Sequence, residues 1–239
     1  MGWPRFLIPL LDFVAPPVCL VCGAPVEDPD QPPLVCEACR RQIYRLKIQI
    51  PFCRRCGTPL RGRQCPRCHG KRLPFDRARA AYLYTGPVAH LVEAMKYHGF
   101  RSLSRWMAHE IAAALPSDPA QIHGIVPIPL HPARVRERGF SQTQELAQHL
   151  AEATGLPVVP LLRRVRYTRS QTTLSPEERR ENLRGAFALQ APPQAVQERT
   201  WLLVDDVMTS MTTVKEASRV LRQAGAQRIL VALFALAPA

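Results

Sequence analysis

The pattern of hydrophobic and polar residues changes near residue 75 and divides the chain in two. Before that point the clearest pattern is one helical stripe of apolar residues between Trp3 and Val14. After it, short apolar runs alternate with segments that have helical spacing. Strands separated by helices predict βαβ units and a mainly parallel sheet flanked by helices. We therefore expect an N-terminal region over 1–74 and an α/β domain over 75–239.

Six strands and four helices are predicted in the α/β domain. The strands are expected at 78–84, 124–128, 158–162, 185–189, 200–204 and 228–235. The helices are expected at 87–98, 103–115, 142–153 and 214–224, the third begun by a capping box of Ser141 and Gln144. Ligands of parallel sheets bind beyond the carboxyl ends of the strands. The loops 129–140, 163–184 and 205–213 are expected at such positions.

Composition and charge narrow the class of protein. Hydrophobic residues make up 46% of the chain, which excludes wholesale disorder, and no apolar run approaches the 18 residues of a membrane span. Pro9 and Asp12 interrupt the apolar N-terminal stretch, so a secretory signal is not predicted and a cytoplasmic location is expected. The formal charge of +13 favours an anionic partner, whether nucleic acid, a phosphate substrate or a membrane surface.

All eight cysteines lie in four Cys-x-x-Cys pairs before residue 69, which is the spacing of zinc knuckles. Two knuckles complete one four-thiolate site, and four thiolates leave no open position, so zinc would have a structural role. Sequential pairing is the most economical assignment, while a crossed arrangement or a single occupied site remains open. The candidate ligands are Cys19, Cys22, Cys36, Cys39, Cys53, Cys56, Cys65 and Cys68.

The cysteine-rich segment is also strongly basic. Residues 31–72 carry eleven lysines and arginines against one acid, Glu37. Zinc ribbons with such a surface bind nucleic acid or another protein. A solvated face that offsets the thiolate charge is the equally weighted alternative.

The segment 201–213 carries the most specific chemistry. Four apolar residues lead into two adjacent acids, and a hydroxyl-rich turn then opens a helix. Backbone N–H groups and hydroxyls at such a turn bind a phosphate group, and the acids would bind sugar hydroxyls or hold Mg²⁺ through water. Ordinary helix capping beside a buried acid pair is the alternative. The candidate phosphate-binding residues are Asp205, Asp206, Val207, Met208, Thr209, Ser210, Met211, Thr212 and Thr213.

Motifs in the same order along most of the chain resemble those of the bacterial ComF family. They are Cys19-Leu20-Val21-Cys22-Gly23, Pro74-Phe75-Asp76, Met95-Lys96-Tyr97-His98-Gly99, Val126-Pro127-Ile128-Pro129-Leu130-His131, Arg136-Glu137-Arg138-Gly139-Phe140-Ser141-Gln142, Thr168-Arg169-Ser170-Gln171, Arg179-Arg180-Glu181-Asn182 and Leu203-Val204-Asp205-Asp206. The resemblance implies a type I phosphoribosyltransferase fold that binds 5-phosphoribosyl 1-pyrophosphate (PRPP) with Mg²⁺. It also implies a role in DNA uptake during natural transformation.

The resemblance assigns a role to each loop. Loop 129–140 corresponds to the pyrophosphate loop, where Arg134 and Arg138 would neutralise the leaving group. Loop 163–184 corresponds to the flexible loop that closes over the reaction centre and contains Arg166. These three arginines are the candidate catalytic residues. The zinc ribbons and their basic face would contact single-stranded DNA or another competence protein.

Two positions depart from the family motif: Ser210 replaces a threonine, which is a minor change, and Met211 stands where the phosphate-binding loop usually has glycine. Glycine permits unusual φ angles and close approach of the backbone to phosphate. We hypothesise that phosphosugar binding persists and that turnover depends on the room Met211 leaves. A competence protein is therefore predicted. An active phosphoribosyltransferase of nucleotide or amide metabolism, with an unidentified acceptor, is the alternative.

Overall fold

A computed structural model describes residues 17–28, 32–49, 51–115, 121–167, 181 and 183–239. The apolar stripe between Trp3 and Val14 lies outside these residues. So do the motif predicted at 168–171 and most of the motif at 179–182.

Four parallel strands form the central sheet of the described chain. They are β1 (Arg77–Leu83), β2 (Gly124–Pro127), β5 (Thr200–Met208) and β6 (Arg228–Leu236), in the order β1-β6-β5-β2. Their apolar sequences suit strands that are covered on both faces. The predicted parallel α/β architecture is confirmed.

Six α-helices whose bounds both fall within the described residues accompany these strands. They are α1 (Glu37–Arg45), α2 (Gly86–Tyr97), α3 (Leu103–Ala114), α4 (Pro132–Arg138), α5 (Gln142–Thr154) and α6 (Thr212–Gln223). A short 3₁₀ helix spans Pro193–Ala195. Each of α2, α3, α5 and α6 lies within two residues of its predicted bounds.

Two predicted features of the chain between β2 and β5 are wrong. The basic loop after β2 contains helix α4, which begins with Pro132 and ends before Gly139 in the left-handed conformation. His131 caps it by accepting a hydrogen bond from Ala133 N at 3.2 Å. The strand expected at 158–162 is reduced to one bridge between Val158 and Ile125. Strand β3 (Leu162–Arg164) instead pairs antiparallel with β4 (Phe187–Leu189), outside the main sheet.

The capping box predicted for α5 is also absent, since Ser141 makes no side-chain cap bond. The Thr143 hydroxyl donates instead to the carbonyl oxygen of Ile128 at 2.7 Å, which ties the start of α5 to the end of β2.

The two faces of the sheet carry separate cores. The first core lies under α2, α3 and α5 and takes Leu202 and Val204 from β5. The second core lies under α6 and the β3–β4 pair and takes Trp201 and Leu203 from β5. This division follows from the alternation of side chains along a strand. Each core also includes cysteines of a different part of the N-terminal region.

Candidate functional site

Strand β5 carries the two acids to the carboxyl edge of the sheet. It continues to Met208, so Asp205 and Asp206 lie within the strand and not in the loop after it. Their positions continue the alternation of β5: Asp206 follows Val204 on the side of the first core, and Asp205 follows Leu203 on the side of the second. One site is therefore supported from both faces of the sheet.

Asp206 is the buried member of the pair, with an exposed fraction of 3%. Its Oδ2 lies 2.8 Å from Nζ of Lys96, near the end of α2, and its Oδ1 accepts a hydrogen bond from Val207 N at 2.6 Å. Burial by itself would lower the pKa of Lys96, but the Asp206 carboxylate outweighs burial and the pKa is raised. The carboxylate therefore stabilises the ammonium form of Lys96, and the 2.8 Å contact is an ion pair.

Asp205 has a different electrostatic environment. Its Oδ1 accepts a hydrogen bond from Asp206 N at 2.9 Å. Burial and then the neighbouring Asp206 carboxylate raise the pKa of Asp205 to about 8, against the opposing charges of Lys96 and Arg164. Asp205 is thus mostly protonated at neutral pH in the protein without ligand. A cation at this edge would favour its ionised form.

The loop between β5 and α6 comprises only residues 209–211, and we call it the phosphate loop. The Ser210 and Thr212 hydroxyl oxygens lie 2.8 Å apart within hydrogen-bonding distance. The first N–H groups of a helix have no partner inside the helix, and the helix dipole favours an anion at that end. The strand-loop-helix arrangement is thus of the kind that binds phosphate.

Met211 keeps the backbone shape that glycine would adopt at this position. It has φ 65° and ψ 0°, in the left-handed region, and it is the N-cap of α6. Its side chain is 4% exposed and packs in the second core with Met208 and Val214. Because the side chain is buried beneath the loop, it does not fill the outer surface where an anion would approach. Glu216, in the first turns of α6, accepts a hydrogen bond from Gly185 N at 2.8 Å.

The three predicted catalytic arginines make different contacts. Arg134 lies 2.9 Å from a Glu137 carboxylate oxygen and stacks over the Tyr167 ring. Arg138 stacks over Tyr97, the residue after Lys96, at 5.1 Å from the ring centroid. Arg166 donates a hydrogen bond to the carbonyl oxygen of Arg184 at 2.6 Å. Their catalytic role stays a prediction.

Two basic residues interact with the charges of Asp205 and Asp206 but were not among the predicted site residues. Lys96 pairs with Asp206, and Arg164 in β3 opposes the raised pKa of Asp205. Arg164 is also close enough to Arg134 for their charges to interact. Lys96 is one of only four lysines and follows an apolar helix face, which was the available signal in the sequence.

The eight cysteines form two clusters of four. The first comprises Cys19, Cys22, Cys36 and Cys39, and the second comprises Cys53, Cys56, Cys65 and Cys68, with the sulfur atoms of each cluster within 4.8 Å of one another. Sequential pairing is therefore confirmed and the crossed arrangement is wrong.

The sulfur geometry fits zinc. Measured across knuckles, the Sγ–Sγ distances are 3.7 Å for Cys22–Cys36, 3.5 Å for Cys53–Cys68 and 3.4 Å for Cys56–Cys65. Tetrahedral Zn²⁺ with Zn–S bonds of about 2.3 Å places its sulfur ligands about 3.8 Å apart. Both clusters thus match a structural zinc site.

The knuckle backbone prepares the clusters for a cation. Burial alone would raise the pKa of the Cys19 and Cys65 thiols, but hydrogen bonds from nearby backbone N–H groups lower these values to about 6 and about 7. Val21 N, for example, lies 3.4 Å from the Cys19 sulfur. One cysteine in each cluster is therefore readily available as a thiolate, the form that binds zinc.

A double zinc ribbon attached to a parallel α/β sheet defines the class of this protein. The family model described as double zinc ribbon domain matches residues 10–70. Competence protein F of Haemophilus influenzae is 30% identical over 206 residues, covering 82% of this chain and 88% of that protein. DNA utilization protein YhgH of Salmonella typhimurium is 32% identical over 205 residues, with the same coverage. The chain belongs to the competence protein F family, which confirms the resemblance to ComF.

A comparison with solved structures gave a weaker match. Glutamine PRPP amidotransferase from B. subtilis, solved with ADP and GMP, is 22% identical with a TM-score of 0.38, covering 55% of this chain and 26% of that one. Within the part of the chain described here, no helix has the length and apolar character needed to cross a bilayer.

Proposed function

We propose that this protein binds PRPP or a related phosphosugar with Mg²⁺ and acts in DNA uptake during natural transformation, on the cytoplasmic side. The observation that supports the binding most directly is the acid pair at the carboxyl edge of β5, followed at once by the phosphate loop. The names of two relatives, competence protein F and DNA utilization protein, support the role in DNA handling.

Each part of the edge suits one part of a phosphosugar. The phosphate loop and the start of α6 would receive the 5-phosphate, and the Asp205 and Asp206 carboxylates the ribose hydroxyls. Arg134 and Arg138 are suited to the diphosphate, since guanidinium groups bind phosphate oxygens in pairs. Mg²⁺ would supply charge neutralisation, and oxygen donors such as these acids are the ligands it prefers, directly or through water. Lys96 holds the Asp206 carboxylate in place through their ion pair.

Calorimetry tests this binding. We expect heat from PRPP with Mg²⁺ at millimolar ligand or below, and at least tenfold weaker affinity in the Asp206→Asn variant. The matched control is Asp76→Asn, because Asp76 pairs with Arg222 at 2.7 Å near the start of β1 and away from the carboxyl edge. Absence of heat with the wild-type protein would overturn the proposal.

Single-stranded DNA is the proposed anionic partner of the zinc ribbons. Exposed basic side chains are spread over both ribbons, and the ring of Tyr44 in α1 is also exposed. The basic residues are Arg41, Arg45, Arg54, Arg55, Arg61, Arg63, Lys71 and Arg72. Phosphate contacts of this kind make affinity fall steeply with salt. Fluorescence anisotropy should show DNA binding that weakens between 50 and 200 mM salt. Binding that is absent at low salt would contradict this part of the proposal, and a second competence protein would then be the candidate partner.

Phosphoribosyl transfer is the second candidate function, and the backbone of Met211 favours it. The phosphate loop retains the left-handed conformation despite the loss of glycine. In this reaction pyrophosphate would leave the ribose C1 as a nitrogen nucleophile attacks the same carbon. Pyrophosphate release from PRPP, measured with ammonia and with nucleobases as acceptors, tests it. PRPP binding without such release would leave a binding protein.

A further inference from the structure

One arginine of the second zinc ribbon is hydrogen-bonded to the phosphate loop. We use this name for the segment that carries the second cluster, from Cys53 to Cys68. Arg67 lies inside the last knuckle, between Cys65 and Cys68, and its guanidinium donates hydrogen bonds to the carbonyl oxygens of Thr209 and Ala237. Thr209 is the first residue of the phosphate loop, and Ala237 directly follows β6. One side chain therefore joins a metal knuckle to the loop and to the adjacent strand end.

The other side of the guanidinium is held by the ribbon. Arg67 Nε donates to the Thr58 hydroxyl oxygen at 3.0 Å, and that oxygen lies 3.3 Å from the sulfur of Cys56. Burial lowers the pKa of Arg67, while the charges of Cys56, Cys65 and Cys68 act in the opposite direction. A permanent cation is thus placed between a thiolate cluster and two backbone carbonyls, all of which favour it.

The second ribbon is itself fixed to the sheet. Ala78 N, in β1, donates to the carbonyl oxygen of Arg55 at 2.8 Å. At Gly57, which has φ +77°, a Cβ atom would come within 3.0 Å of the Ala78 carbonyl oxygen, so the knuckle backbone lies directly against the strand. The four cysteines share the second core with Met211. The ribbon therefore shares a core with the phosphate loop and contacts that loop directly through Arg67.

We propose that Arg67 is a positioning residue that couples the second four-cysteine cluster to the phosphate loop, so that affinity for a phosphate ligand depends on the metal in that cluster. The ligand arm of this proposal rests on the proposed phosphosugar binding. The coupling between ribbon and loop does not, and it can be measured without a ligand.

Hydrogen exchange tests the coupling directly. In Arg67→Ala we expect at least tenfold faster exchange of the amides over 208–214, with two zinc ions retained per chain by elemental analysis. Arg67→Lys should give an intermediate rate, because an ammonium group cannot bridge the same three oxygens in one plane. The control is Arg63→Ala, which removes an exposed arginine from the same ribbon.

The outcomes separate this proposal from the proposed function. Wild-type exchange rates in Arg67→Ala, or an equal change in Arg63→Ala, would overturn the coupling. If Arg67→Ala does not fold, Arg67→Lys decides by the same criterion. In calorimetry, a wild-type protein that does not bind PRPP refutes the phosphosugar function and leaves the exchange result to decide the coupling. Equal PRPP affinity in wild type and Arg67→Ala refutes the link between the ribbon and ligand binding.

Discussion

The two cysteine clusters have the same four ligands and different surroundings. In the first cluster Cys22 is exposed and Cys36 half-buried, and the second knuckle opens helix α1, with Cys36 as its N-cap. In the second cluster all four cysteines are buried, and they belong to the second core together with residues of β1 and Met211 of the phosphate loop. The same set of four thiolates therefore has two structural roles. The first cluster attaches helix α1 to the first core, while the second cluster is part of the second core, which also contains Met211 of the candidate site.

The largest expected effect comes from removing one ligand in each cluster. Cys68→Ser should abolish the second metal site, expose part of the second core, and destabilise the protein by about 4 kcal/mol. Cys22→Ser should abolish only the first site and cost about 2 kcal/mol, because Cys22 is exposed and is not itself part of the first core. Thermal unfolding with zinc analysis measures both. Equal losses of stability in the two variants would contradict the distinction between the clusters.

A smaller loss of stability is expected from breaking the ion pair of Lys96 and Asp206, which joins helix α2, on the side of the first core, to the candidate site. Lys96→Met leaves the Asp206 carboxylate buried without its cation, and we expect a loss of about 3 kcal/mol. The control is Lys47→Met, whose partner is Glu110 and whose side chain is 34% exposed; its loss should cost at most about 1 kcal/mol. Urea unfolding measures both. Equal stability of the two variants would contradict the view that Asp206 depends on its ion pair with Lys96.

The smallest expected effect is the pH dependence of stability that comes from Asp205, on the side of the second core. The folded pKa of Asp205 is raised to about 8, above its ordinary value near 4, so folding binds a proton between these values. Stability should therefore fall as pH rises through this window. One proton taken up on folding gives a slope of about 1.4 kcal/mol per pH unit, and partial exposure of Asp205 should narrow the window so that the total loss is about 1 kcal/mol.

Urea unfolding at pH 5, 7 and 9 checks the sign of this slope. Asp205→Asn should remove its contribution, while Asp76→Asn should leave it unchanged. A rise in stability with pH that disappears in Asp205→Asn would show that the carboxyl group is stabilised in its ionised form.

Local patterns in the sequence were sufficient to predict the two cysteine clusters and the parallel sheet. The spacing of the cysteine pairs predicted both clusters, and the apolar runs predicted the strands of the parallel sheet. The short helix α4 was missed although proline and glycine mark its ends, because no residue in it is buried and it has no apolar stripe.

The missed site residues depend on contacts between distant segments. Lys96 and Asp206 lie 110 positions apart, and Arg67 meets Thr209 across 142 positions. Single-sequence patterns carry no distance information of this kind. Strand β5 was predicted to end at Val204, because two adjacent acids normally mark the end of an apolar strand. In the structure β5 continues to Met208, since Lys96 pairs with Asp206 and the charge of Arg164 acts on Asp205.

The strand order has a consequence for folding during synthesis. Strand β6 lies between β1 and β5, so among the described strands the one that pairs with β1 is the last to be made, at residues 228–236. Contacts that close such long loops form slowly. The second ribbon contacts β1 and, through Arg67, the residue after β6, so its full set of contacts is complete only when almost the whole chain has been made. We expect early metal capture by the ribbons to protect the nascent chain from oxidation and misassembly during this interval.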